Sequence, residues 1–191
     1  MRRSAFRAPV VRCALGLAFV LVVAARADEI YLSAADAPAA VFPDADRFER
    51  REGTSTPALR ERVQARLGEI KPSIWEPSYS ITTAFRGNER LGQAVIVEEI
   101  GKHRAITFIV GVDSQGAVAG VAIMAYREAY GGEVRSRRFL DQYRGKHASD
   151  PLMPSSDIRN ITGATLSARA IGRGVKKAIA VLAELAGEAV K

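Results

Sequence analysis

The residues with the most chemistry to offer lie together near the C-terminus, in Asn160-Ile-Thr-Gly-Ala-Thr-Leu-Ser-Ala-Arg169. The stretch predicts a turn that opens directly into a long helix. Gly163 supplies a permissive backbone. Thr162 is of a type that caps helices, its hydroxyl accepting from an unpaired first-turn amide. Thr165 then falls in or beside the first turn. Behind it Ile171, Val175, Ala178, Ile179, Leu182 and Leu185 recur at intervals of three and four, the apolar stripe of one buried helix face. A helix of about twenty residues is roughly 30 Å long. A hydroxyl is thereby set at its positive end, where free amides and the dipole favour a phosphate. Gly172 and Gly174 inside the helix each cost roughly 1 kcal/mol against alanine. Close approach to a sheet or cofactor and a tolerated defect account for them equally well.

The elements that must position this junction come earlier in the chain. Tyr79–Phe85, Gln93–Glu98, His103–Val112 and Gly116–Tyr126 read as strands, broken by Arg86-Gly-Asn88, Ile100-Gly-Lys102 and Asp113-Ser-Gln-Gly116. Breaks this short suit antiparallel neighbours. The expected fold is therefore α+β: an antiparallel sheet of three to four or more strands, with helices packed before and after it and a long C-terminal helix. Ahead of the sheet, Ser33–Phe42 predicts a short helix stopped by Pro43, and Arg47–Glu52 a short exposed strand. Thr56-Pro57 is a helix start, Leu59, Val63 and Leu67 share a face, and Gly68 ends the helix. Lys71–Ser78, with Trp75, reads as an irregular connector. After the sheet come a glycine-bearing loop (Gly131, Gly132), a short helix or turn over Arg135–Lys146, and a Pro-rich loop leading to Asp157.

The first 27 residues read as a secretory signal: Arg2, Arg3, Arg7 and Arg12, then an apolar run from Cys13 to Ala25, then an Ala25-Arg26-Ala27 cleavage site. Five of the 28 basic residues and none of the 21 acidic ones lie there, so the formal charge of +7 falls to +2 over residues 28–191. A nucleic-acid role argued from net charge loses its support. The one cysteine, Cys13, goes with the signal, which removes disulfides, iron–sulfur ligation and attached haem. Two histidines, His103 and His147, are too few for a dedicated metal site without carboxylate help. The expected organisation is a signal over 1–27, a helical and connector segment over 28–78, and a domain over 79–191.

The order Arg127-Glu128, Gly131-Gly132, Tyr143-Arg-Gly-Lys146 and Thr162-Gly-Ala-Thr165-Leu-Ser167 resembles the covalent FMN-binding domain. This domain is found in the FMN-carrying subunits of the sodium-pumping NADH:quinone oxidoreductase and the Rnf complex, and in small exported electron carriers. The resemblance covers roughly residues 79–186. It implies FMN esterified through its phosphate to Thr165, with Thr162, Gly163, Ala164, Leu166 and Ser167 around the attachment. It further implies that Glu128, Tyr130, Gly131, Gly132, Tyr143 and Lys146 line the cofactor. The partners implied are a periplasmic flavin transferase, using FAD as donor and magnesium as metal, and redox donors and acceptors in the membrane or periplasm. Location is then periplasmic or otherwise extracytoplasmic, with membrane association left open. The role is an electron relay; a flavin-dependent reductase would need an acid–base pair that the sequence does not display. The family motif usually has an acid three positions before the first hydroxyl residue, where this chain has Arg159, with Asp157 two residues earlier. That arginine favours the alternative, an exported binding or assembly module of the same fold without flavin, or else pairs with a phosphate or an acidic partner.

Overall fold

The computed structural model describes residues 29–188, and their side chains over 30–186. The signal expected over 1–27 and its cleavage site lie outside these residues. Among the described residues six strands form one sheet: β1 (Glu29–Ile30), β2 (Arg47–Thr54), β3 (Ser78–Arg86), β4 (Glu89–Ile100), β5 (Ala105–Asp113) and β6 (Val118–Tyr126). Their spatial order is β1-β6-β5-β4-β3-β2, and every neighbouring pair is antiparallel. The meander expected from the alternating runs is thus extended at both edges. β2 joins β3 across a helix, and the two-residue β1 pairs with the end of β6.

Alternation divides the sheet into two faces. On one, Val95 and Val97 of β4 and Ile106, Phe108 and Val110 of β5 are buried under α2 (Pro57–Leu67) and α4 (Thr165–Glu188). On the other, Ala84, Ala94, Ile109 and Met124 meet α1 (Ala37–Val41) and Phe42. α2 begins as its sequence predicts: the Thr56 hydroxyl accepts from the Leu59 amide at 3.1 Å, and Gly68 closes the helix at φ 60°.

α4 lies along β4 and β5 and against α2. A Cβ on Gly174 would stand 2.3 Å from Cζ of Phe108, and one on Gly172 would stand 2.4 Å from the Leu152 carbonyl oxygen. The two helix glycines therefore mark where α4 touches the sheet and the Pro-rich loop. Three residues further on, fully buried Lys177 donates to the Ile74 carbonyl at 2.9 Å, the Glu98 carbonyl at 2.8 Å and Glu76 Oε1 at 2.9 Å, and stands 3.2 Å from Glu99 Oε1. Glu99 in turn accepts from Ser73, at 2.9 Å from the amide and 2.6 Å from the hydroxyl, with Arg173 at 3.4 Å. Two cations and two carboxylates thus face one another at the edge of the apolar layer, with Glu99 Oε1 held to Lys177 as an ion pair and not by a hydrogen bond. They also pin the connector that carries Trp75, which packs on the core. Among the described residues, no helix is long and apolar enough to cross a membrane.

Candidate functional site

The site stands at the end of β6, where three irregular segments converge on the start of α4. β6 leads into a 3-10 turn over Gly132–Arg135, then α3 (Arg137–Leu140) and a second 3-10 turn over Asp141–Tyr143. The chain returns through the loop to Asp157 and reaches the turn before α4. The Ala164 amide donates to the Ile161 carbonyl at 3.0 Å, and Gly163 has φ 83°, the positive value that the third position of a type II turn requires. The helix starts at Thr165, and the Ala164 carbonyl accepts from the Ala168 amide at 2.9 Å. Ala164 therefore occupies the cap position expected for Thr162. Thr162 lies out in the turn, exposed, because a type II turn has to be completed before helical geometry can begin.

Thr165 is half-buried, and its Oγ1 accepts from Asn160 Nδ2 at 2.9 Å. That bond fixes the oxygen while leaving its own proton free. By helix geometry the first amides of α4 have no carbonyl one turn back to receive them. Although Thr165 itself is not part of the lining, Asn160, which donates to its hydroxyl, also lines a pocket of about 410 Å³ with Ser136, Arg138, Phe139, Gln142, Arg159 and Ile161. Its size is within the roughly 300–1,000 Å³ of small-molecule sites. Its lining combines an aromatic ring with two guanidinium groups and two amides. The Arg159 amide donates to Gln142 Oε1 at 2.8 Å, tying the two walls together.

Of the residues singled out by sequence, Gly131, Ala164 and Ser167 are brought into contact. A Cβ on Gly131, whose φ is 81°, would lie 3.3 Å from both Ala164 Cβ and Ser167 Oγ, and 3.0 Å from the Tyr126 hydroxyl. Tyr126 is the organiser that sequence reading missed. Its hydroxyl donates to the Tyr130 carbonyl at 2.6 Å and lies 3.0 Å from the Ser167 hydroxyl. Burial pushes the phenol above its ordinary value, with the Ser167 bond pulling the other way. Leu166 and Tyr130 stand exposed, and Gly132 packs against the Arg135 guanidinium.

None of the residues expected at the cofactor lines the pocket: neither Glu128, Tyr130, Gly131, Gly132, Tyr143 and Lys146 nor Thr162, Gly163, Ala164, Thr165, Leu166 and Ser167. Glu128 receives the His103 amide at 2.6 Å and the Arg104 amide at 2.9 Å, closing the β4–β5 turn. Burial raises its pKa, but the amides of Arg104, His103 and Lys102 together outweigh that and hold it below the usual range. Tyr143 is fully buried, edge-on to Phe139 at 5.9 Å, and burial followed by the Asp157 charge raises its phenol. Lys146 pairs with Asp157 at 2.9 Å. Burial raises the Asp157 carboxyl; the Lys146 bond and the Met153 and Leu152 amides more than reverse this. Lys146 and Asp157 thus join the loops that carry the pocket. Of the lining residues, Arg159 and Asn160 sit just before the threonines and had a sequence signal. Ser136, Arg138, Phe139 and Gln142 had none, because they reach the site only through the fold.

Residues 101–180 match the model of the FMN-binding domain. That segment resembles the FMN-binding domain of the Rnf- and Nqr-type subunits. Over 103 residues it is 30% identical to a subunit of the proton-translocating ferredoxin:NAD(+) oxidoreductase complex of Clostridium ljungdahlii, covering 50% of this chain and 56% of that protein. Over 156 residues it is 26% identical to a subunit of the Na(+)-translocating ferredoxin:NAD(+) oxidoreductase complex of Acetobacterium woodii, covering 76% of this chain and 72% of that one. The match to the Clostridium protein spans little more than half of that relative's length. The crystal structure of Shewanella oneidensis NqrC superposes with a TM-score of 0.53 at 14% identity, over 78% of this chain and 87% of that one, so the fold is shared.

Proposed function

We propose that this chain is an exported electron carrier whose FMN is joined through its phosphate to Thr165. The observation that carries the reading is a half-buried threonine hydroxyl in the first turn of a long helix, bonded to Asn160, which lines a pocket of about 410 Å³ together with an aromatic ring and two guanidinium groups. The residues present fit the group. Arg138, Arg159 and the first amides of α4 would hold the phosphate, and Phe139, Gln142 and Ile161 would flank the ring system. FMN when bound supplies one- and two-electron transfer. The chain's own part is to orient the Thr165 oxygen through Asn160, to seat Gly131 against Ala164 and Ser167, and to join the pocket walls through Gln142 and Arg159. No step requires an acid–base pair, which agrees with a carrier. Residues 1–27 direct export, and a flavin transferase installs the group from FAD. The domain over 79–191 carries the cofactor, with 28–78 completing its sheet. Redox partners of the kind implied by the names of the Clostridium and Acetobacterium relatives supply and accept the electrons.

The test is co-expression of the full chain with a flavin transferase in a periplasm, followed by a denaturing gel under blue light and intact mass. A fluorescent band with an added FMN phosphoester is expected, and Thr165→Ala should carry none. A dark band of unshifted mass would end the proposal.

A further inference from the structure

We infer that the face around Thr165 is a docking surface for an acidic protein, the donor or acceptor of the carrier's electrons; this rests on the flavin reading above. Arg137, Arg138, Arg159 and Arg169 are all exposed there. Arg138 and Arg159 line the pocket, Arg137 adjoins it on α3, and Arg169 stands one turn along α4 from Thr165. Among the described residues none of the four has an ion-pair partner, whereas the nearby acids are mostly engaged. Asp157 is held by Lys146, Asp141 lies 3.8 Å from Arg144, and Glu128 takes up turn amides; Glu133 remains exposed. Arg138 and Arg159 are the pair that would hold the phosphate, but a phosphodiester carries one negative charge, so the face keeps a net positive charge and Arg137 and Arg169 stay wholly uncompensated.

Electron transfer weakens steeply with distance, so a partner must sit on the surface nearest the cofactor. The forked guanidinium groups of Arg137 and Arg169 suit carboxylates there, and the net positive charge of all four would steer an acidic partner onto the face. Tyr130, beside Gly131 in the chain, and Leu166, beside Thr165, add exposed apolar side chains at 85% and 47%. A protein fits better than a lipid surface. The cations come from three separate segments around a recess, and the two apolar side chains do not form a continuous amphipathic face.

The test titrates the ¹⁵N-labelled full chain, with and without flavin, with a hexaglutamate peptide. Amide shifts confined to the neighbourhood of Arg137, Arg159 and Thr165–Arg169 are expected, with none from hexalysine. Arg137→Glu combined with Arg169→Glu, both exposed and outside the pocket lining, should weaken binding at least about fivefold while the spectrum stays folded. In the flavin-loaded protein, reoxidation of the reduced cofactor by ferricyanide should slow roughly tenfold or more between about 10 and 300 mM salt. Each ferricyanide takes one electron, and the protons pass to buffer. Tris(phenanthroline)cobalt(III), a cation, should show the opposite slope. Shifts elsewhere, equal response to hexalysine, or salt slopes of one sign for both oxidants would overturn the inference. So would sedimentation with phosphatidylglycerol vesicles without any hexaglutamate response. A colourless chain that still binds hexaglutamate on this face would refute the flavin reading and keep the docking surface. A flavin-loaded chain blind to the peptide would do the reverse.

Discussion

Lys177→Met is the substitution whose effect the structure fixes most tightly. The ammonium is fully buried and donates to two carbonyls and to Glu76, with Glu99 3.2 Å away. Methionine nearly conserves the volume, so little of the cost comes from a cavity. It comes from charge: the wild-type balance of Lys177 and Arg173 against Glu76 and Glu99 becomes one cation against two carboxylates. Glu99 is fully buried, so water cannot replace the lost partner. Removing one member of a buried pair costs about 3–5 kcal/mol. For a domain of this size each kcal/mol moves the melting temperature by about 2–4 °C, so a drop of roughly 6–20 °C is expected. Urea denaturation followed by circular dichroism, at neutral pH and with an unchanged m-value, measures it. Adding Glu76→Gln and Glu99→Gln should recover part of the loss, since neutral partners leave no naked charge. A single variant losing less than about 1 kcal/mol would refute the reasoning, because the network would then be reached by solvent.

Gly174→Ala should destabilise by about 1–3 kcal/mol in thermal melts, against the gain of about 1 kcal/mol that helix propensity alone predicts, because the new methyl meets buried Phe108. Tyr126→Phe removes the bond to the Tyr130 carbonyl and should cost about 1–2 kcal/mol, with faster amide hydrogen exchange across Tyr130–Val134. Glu128 and Asp157 are both held below the ordinary carboxylate pKa, so near pH 4 the folded chain binds fewer protons than the unfolded one. Their contribution is present above about pH 4 and lost as pH falls further. Denaturation at pH 6 and pH 3 should show the decline, and Glu128→Gln with Asp157→Asn should flatten it.

Much of the scaffold was legible because its signals are local. Thr56-Pro57, Gly68 and Pro43 act through their own backbones, and the alternating apolar runs announce their strands whatever they pair with. That β1 and β2 belong to the same sheet was not legible, since edge pairing is settled by partners far along the chain. The stripe read on α4 was also too narrow. Ala170, Gly174, Lys177 and Val181 form a second buried row, and a lysine there looks like a solvated position until Glu76 and Glu99 arrive opposite it. The threonine junction could be seen, because a turn glycine and a following helix are written consecutively. The pocket wall from Ser136 to Gln142 could not, because it meets Asn160 only after the loops fold back.

The gap at Gly174 acts as a register key. Slide α4 by one residue and Arg173 or Val175 would have to enter the space against Phe108 that only a hydrogen atom fits. Thr165 lies nine residues earlier on the same rigid rod, about 14 Å away. The longitudinal placement of the threonine oxygen over the end of the sheet is thus dictated by a residue that takes no part in holding anything.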